Sequence, residues 1–118
     1  MAEYMIFFNQ QWVPDYPASD FPEIARDARA LSEEMKAAGV LVFAGGLEET
    51  PPLAHADATS GELVVADGPY SRPAEWLGGF AIIDVETEEE ARRWTGVLAE
   101  ACRWPQELRA FGAGSIRA

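Results

Sequence analysis

The stretch Leu77-Gly78-Gly79-Phe80-Ala81-Ile82-Ile83-Asp84-Val85 runs almost directly into Thr87-Glu88-Glu89-Glu90, and this junction decides the fold. The first segment is apolar and ends in β-branched residues, so it predicts a strand with Phe80, Ile82 and Ile83 as its core candidates. Thr87 followed three residues later by Glu90 has the form of a capping box. Glu88 and Glu89 stand where a helix N-terminus favours negative charge. From there Ala91, Trp94, Leu98 and Ala101 recur at steps of three and four, which is one apolar stripe on a helix. The helix must stop before Pro105, and Glu107 to Phe111 predicts a closing strand. The second half of the chain is therefore a β-α-β unit.

The first half repeats that order. Tyr4 to Phe8 is a short aromatic-rich run that predicts a buried strand, followed by a loop from Asn9 to Ser19 broken by Pro14 and Pro17. Asp20 with Glu23 predicts a second capping box at the start of a helix. Ile24, Ala28, Leu31, Met35 and Ala38 form its stripe, and Gly39 suits the position just past its end. Val40 to Phe43 predicts the next strand, with Gly45-Gly46 marking a bulge or close approach at its end.

Between the two units, Leu53 to Thr59 and Glu62 to Ala66 predict a hairpin turning at Ser60-Gly61. With that two-residue loop, paired residue numbers sum to 121. Ala54, Ala56 and Ala58 then share a face with Leu63, Val65 and Asp67, and His55, Asp57 and Thr59 share the other with Glu62, Val64 and Ala66. The first face is the more apolar and is assigned to the core. The second strand of this hairpin could also serve as the first strand of the second unit. A double β-α-β around an antiparallel sheet is the ferredoxin-like plan, an α+β fold with both helices on one sheet face. Strands this apolar need cover on the other face too. A second copy of the same sheet supplies it, so a homodimer is expected.

The totals fit one domain over residues 1–118. Twenty acidic side chains against nine basic give a net charge of −11, which argues against nucleic-acid partners and anionic membrane surfaces. Nothing from Met1 to Tyr16 has the pattern of a signal peptide, and no apolar run approaches a membrane span, so a cytoplasmic location is expected. One cysteine and one histidine make a metal site improbable, and neither Gly-Gly pair carries a phosphate-loop or dinucleotide pattern. No cofactor is expected.

Asp67 is the first candidate for chemistry. At a strand end on the apolar face it would be desolvated and could act as a general base. Equally, it could accept backbone N–H bonds and fix the turn into Gly68-Pro69. His55 and Asp57 share a strand face but stand roughly 7 Å apart at two-residue spacing, too far for a simple hydrogen bond, and the register turns His55 away from Asp67. Asn9, Trp12, Tyr70 and Trp76 suit either a small planar ligand or packing. Arg109 could meet an acidic ligand group or Asp84. Trp94 and Met35 belong to the helix stripes and the core, and Cys102 reads as a small core residue.

Glu62-Leu63-Val64-Val65 leading into Asp67-Gly68-Pro69-Tyr70, then Leu77-Gly78-Gly79-Phe80 and Asp84, resembles the YCII-related family in its DGPF-domain branch. The likeness extends more loosely from Tyr4 to about Arg109. That branch reads Asp-Gly-Pro-Phe-Ala-Glu-Thr-Lys-Glu. Here Tyr70 replaces Phe; Ser71, Arg72, Pro73 and Ala74 replace Ala, Glu, Thr and Lys; and Glu75 matches. The resemblance implies a dimeric α+β barrel. Related barrels include lactone isomerases, dehydrochlorinases and cofactor-free monooxygenases, whereas many members of the branch have no known activity and some are associated with sigma-factor regulators. A His–Asp pair proposed in the wider group has its His early in the first helix. The segment Asp20 to Ala38 holds no His, so that pair is not carried over. The expected function is cofactor-free acid–base chemistry on a small cyclic or aromatic molecule, of isomerase or lyase type, with Asp67 as base. The alternative is a non-catalytic dimer that binds a small ligand or a regulatory partner.

Overall fold

A computed structural model describes residues 2–116. Four strands form one antiparallel sheet: β1 (Ala2–Asn9), β2 (Leu41–Gly46), β5 (Leu77–Val85) and β6 (Glu107–Ala110), in the order β2-β5-β1-β6. Helix α1 (Phe21–Ala37) joins β1 to β2, and α2 (Glu88–Cys102) joins β5 to β6. Each β-α-β unit thus contributes one central and one edge strand, which is the ferredoxin-like topology. The remaining strands, β3 (Ala54–Asp57) and β4 (Val64–Asp67), form a separate two-stranded sheet inserted between β2 and β5.

Alternation along β1 and β5 sorts the two faces of the main sheet. Tyr4, Ile6, Ala81, Ile83 and Val85 are buried beneath the helices, where they meet Leu31 and Met35 of α1 and Trp94 and Leu98 of α2. Met5, Phe7, Phe80 and Ile82 alternate with them and point to the opposite face, which no helix covers among the described residues. Of the three β5 residues expected in the core, Ile83 is there; Phe80 and Ile82 are on the open face. Phe43 joins them from β2, opposite Ile82 and 5.7 Å from the Phe80 ring.

The helix ends show where local signals succeeded. Thr87 caps α2, its hydroxyl accepting from the Glu90 N–H at 3.1 Å, while the Glu90 carboxylate reaches back one residue further, to the Glu86 N–H at 3.3 Å. Gly39, with φ of +74°, follows α1 as expected. The capping box at Asp20 and Glu23 does not form. A 3-10 turn over Ala18–Asp20 leads straight into α1, so Asp20 is already helical and its side chain makes no cap bond. Glu23 instead takes a hydrogen bond from Arg103 across the helix pair. Ala38 is exposed at the C-cap rather than in the stripe. A second 3-10 turn, Gln10–Trp12, interrupts the loop after β1, and the irregularity of β2 lies between Leu41 and Phe43 rather than at Gly45-Gly46.

In the inserted hairpin, Ala54 pairs with Asp67 and Asp57 with Val64, so the register that sums to 121 holds. The strands are shorter than the sequence implied. The turn is wide, with Thr59 N–H bonded to Asp57 and Gly61 N–H to the Ala58 carbonyl, so Thr59 and Glu62 are not a ladder pair. The assignment of the Ala54, Val65 and Asp67 face to the core is overturned: Ala54, Ala56, Leu63, Val65 and Asp67 are all exposed. The side bearing His55, Asp57 and Ala66 is the less exposed one. The first strand of the second unit is β5, not β4. Among the described residues, no helix is long and apolar enough to cross a membrane.

Candidate functional site

The candidate residues collect in two places, and a cavity lies in a third. At one corner of the main sheet, β1 ends in Asn9 and turns through Gln10–Trp12. Trp12 Nε1 donates to Glu75 at 2.7 Å and Asn9 Nδ2 donates to the other Glu75 oxygen at 3.4 Å. Trp76 is tied in through its backbone, its N–H bonded to the Gln11 side chain and its carbonyl to Gln10 N–H; its indole donates to the Glu49 carbonyl at 3.2 Å. Trp12 packs 6.1 Å from Phe7, which carries this corner onto the open face. Asn9, Trp12 and Trp76 are gathered at this corner, around Glu75, which the sequence marks only as a match to the branch's consensus. Both of Glu75's oxygens have donors, so the corner is a satisfied polar lock.

The glycines of the Leu-Gly-Gly-Phe strand serve the same corner. A Cβ on Gly78 would lie 2.6 Å from the Phe8 ring, and one on Gly79 would lie 2.8 Å from it. Phe8 thus packs against bare backbone, with the Trp104 ring 5.1 Å away.

The hairpin holds the second group. Gly68, with φ of +80°, turns the chain so that its N–H reaches the Leu53 carbonyl and its own carbonyl meets His55 Nδ1 at 3.0 Å. That turn brings Tyr70 back edge-on over His55, at 5.7 Å. Asp57 lies on the same side. The Thr59 N–H and hydroxyl hold its carboxyl below the usual range against an opposing desolvation, with lesser help from the Tyr70 hydroxyl and the His55 charge. His55 thus has defined partners in the Tyr70 ring and the Gly68 carbonyl. Asp67 is exposed on the other side of the hairpin, not desolvated in an apolar interior. Arg109 stands opposite Met5 on the open face, with β1 between it and the strand that carries Asp84. The structure therefore does not unite Asp67, Tyr70 and Arg109 with the Asn9 corner.

The cavity, of about 400 Å³, lies on the helix side of the sheet between α1, β2 and the end of α2. Its cause is a run of small residues on facing surfaces: Ala25, Ala28 and Ser32 at helical spacing on α1, and Ala44, Gly46 and Ala81 on the strands. Ile6, Phe8, Leu98 and Trp104 make the floor apolar. Ser32 spends its hydroxyl proton on the Ala28 carbonyl at 3.0 Å, while Arg29 reaches the lining from the exposed side of α1. Cys102 also lines it; burial pushes its thiol up to about 11, so it stays a neutral thiol. In the sequence Ala28, Leu98, Phe8 and Gly46 have structural places only, and none of the lining residues stands out as a ligand site. The signal available was the small residues Ala25 and Ser32 flanking Ala28 of the core stripe at helical spacing. Among the described residues, no three His, Cys, Asp or Glu side chains converge as metal ligands would.

Sheet order, helix placement and inserted hairpin define an α+β domain of ferredoxin-like type. The family model for the YCII-related domain matches residues 15–111, and the chain belongs to that family. A search of curated proteins finds no match.

Proposed function

We propose that the protein is a homodimeric small-molecule-binding protein of the cytoplasm that holds its ligand in the cavity between α1 and β2. The observation that carries this reading is the cavity itself. About 400 Å³ of mostly apolar space beside a close-packed core is within the size range of ligand pockets, and small side chains on both walls keep it open. Arg29 and Gln106 supply the polar groups at its lining. No carboxylate lies within ion-pair distance of Arg29 among the described residues, although the chain carries twenty acidic side chains. An apolar molecule with one anionic group fits that arrangement. The dimer reading rests on the uncovered sheet face bearing Met5, Phe7, Phe80 and Ile82, which a two-fold related copy would close. The DGPF-branch affinity and the barrel it implies belong to the same proposal.

Binding is favoured over acid–base catalysis by Asp67, because Asp67 is exposed on the hairpin and does not line this cavity. The test uses two fluorescent probes, anionic 8-anilinonaphthalene-1-sulfonate and neutral N-phenyl-1-naphthylamine. Both should bind the wild type. Ala44→Phe should abolish both signals, and Arg29→Gln should weaken the anionic probe at least fivefold while sparing the neutral one. Unchanged binding in Ala44→Phe would overturn the assignment.

A further inference from the structure

We infer that the β3–β4 hairpin is a dimerisation arm whose face bearing Ala54, Ala56, Leu63 and Val65 packs against a second copy of this chain. The inference rests on the homodimer reading above and adds a second, separate contact to it.

The arm is unsupported within its own chain. β3 and β4 pair with each other and make no substantial contact with any other helix or strand. An isolated two-stranded ribbon is marginal in water and needs a surface to pack on. One side of this ribbon is apolar apart from its charged end at Asp67, opposite Ala54: Ala54 and Ala56 alternate with His55 and Asp57, and Leu63 and Val65 flank Val64. Leu63 is 71% exposed and Val65 67%. On the opposite side Tyr70 lies over His55, and Val64 there is the less exposed of the arm's three large apolar side chains, at 51%. The side bearing Ala54, Ala56, Leu63 and Val65 is the more exposed one and the one offered to a partner.

The area argues for a second copy. The chain exposes 8151 Å², whereas a compact protein of 12.9 kDa exposes roughly 6,300 Å². Its radius of gyration is 16.4 Å, against about 13.5 Å for a compact chain of this length. The excess surface is therefore on the order of 1,800 Å². A stable interface takes about 800 Å² from each partner. The open sheet face, four strands wide and about eight residues long, offers only about 500 Å². The sheet face supplies part of that, and among the described residues the arm is a further exposed apolar surface. A two-fold axis through the sheet face repeats the arm on both copies, so each arm reaching across doubles its contribution. The arm also carries His55, Asp57 and Tyr70, so each protomer would deliver that group to the edge of its partner.

The experiment is sedimentation velocity on the full chain across a concentration series. Wild type should sediment as a dimer. Leu63→Lys/Val65→Lys should raise the dimer dissociation constant at least tenfold with an unchanged far-ultraviolet spectrum, because neither side chain touches the protomer core. A dissociation constant within twofold of wild type overturns the arm. Ile82→Glu, on the sheet face, separates the two contacts. If it leaves the dimer intact while the arm pair breaks it, the arm stands and the sheet-face reading falls. If it breaks the dimer while the arm pair does not, the arm falls alone. A monomeric wild type overturns both.

Discussion

Gly79→Ala places one methyl group where the structure leaves no room. The new Cβ would lie 2.8 Å and 3.0 Å from two carbons of the Phe8 ring and 3.1 Å from the Gly45 carbonyl oxygen. Carbon pairs are comfortable at about 3.5–4.0 Å, so the ring must retreat by somewhat under 1 Å. Trp104 stands 5.1 Å from the ring and the Gly45 oxygen belongs to the backbone of β2, so the ring can give way only toward the cavity it borders. Overpacking of this kind costs about 1–3 kcal/mol. For a chain of 118 residues that is a melting-point loss of roughly 4–12 °C. Gly46→Ala is the control: nothing lies within 4 Å of its Cβ, and the melting point should be unchanged or slightly raised. A thermal double-mutant cycle with Phe8→Leu supplies the decisive reading. Removing the ring should relieve the clash, giving a coupling of about 1 kcal/mol or more. A Gly79→Ala protein melting within 2 °C of wild type, or a strictly additive cycle, would refute the idea that these glycines exist to seat Phe8.

Arg103 is held at φ of +64° while its guanidinium bonds Glu23 at 3.0 Å and Asp27 at 3.1 Å. Arg103→Ala keeps the strained backbone and loses the pairs, whereas Arg103→Gly loses the pairs but relieves the strain; urea titration should find Gly the more stable by about 1 kcal/mol, and equal stabilities would remove the strain argument. The Cys102 thiol, pushed up to about 11 by burial, should react with a disulfide reagent far more slowly at pH 8 than in the denatured chain, and equal rates would show it accessible. Asp57 titrates below the ordinary carboxylate range, so what it adds to hairpin stability is complete above that range and fades as pH falls through its own lower midpoint. Its carboxyl resonance should titrate closer to the ordinary midpoint in Tyr70→Phe, and an unmoved midpoint would show that the tyrosine hydroxyl does not reach it.

Much of the fold was legible because it depends on local chemistry and simple periods. The Thr87 cap, the Ala91-Trp94-Leu98 stripe and the pairing of Ala54 with Asp67 all follow from residues close together in sequence. What failed depended on where an element would be placed. The alternation in Leu63, Val65 and Asp67 says that one hairpin face is apolar, but not whether its cover comes from the same chain. The same ambiguity put Phe80 and Ile82 in the protomer core, since a strand covered on both sides and one covered on a single side read alike. Asp20 failed as a cap because a preceding 3-10 turn had already made it helical, which a residue pattern does not encode. The site was less legible still. Glu75 gathers Asn9 and Trp12 from more than sixty residues away, and the cavity is defined by what Ala25, Ala28, Ser32 and Ala44 lack.

The most direct test of the binding proposal is an amide correlation spectrum of the full chain titrated with 8-anilinonaphthalene-1-sulfonate. The account predicts saturable shifts concentrated on Ala25, Arg29, Ser32, Ala44 and Gly46, with Asn9, Trp12 and Trp76 undisturbed. Shifts confined to the Asn9 corner or to the hairpin, with the α1 and β2 resonances unmoved, would contradict it.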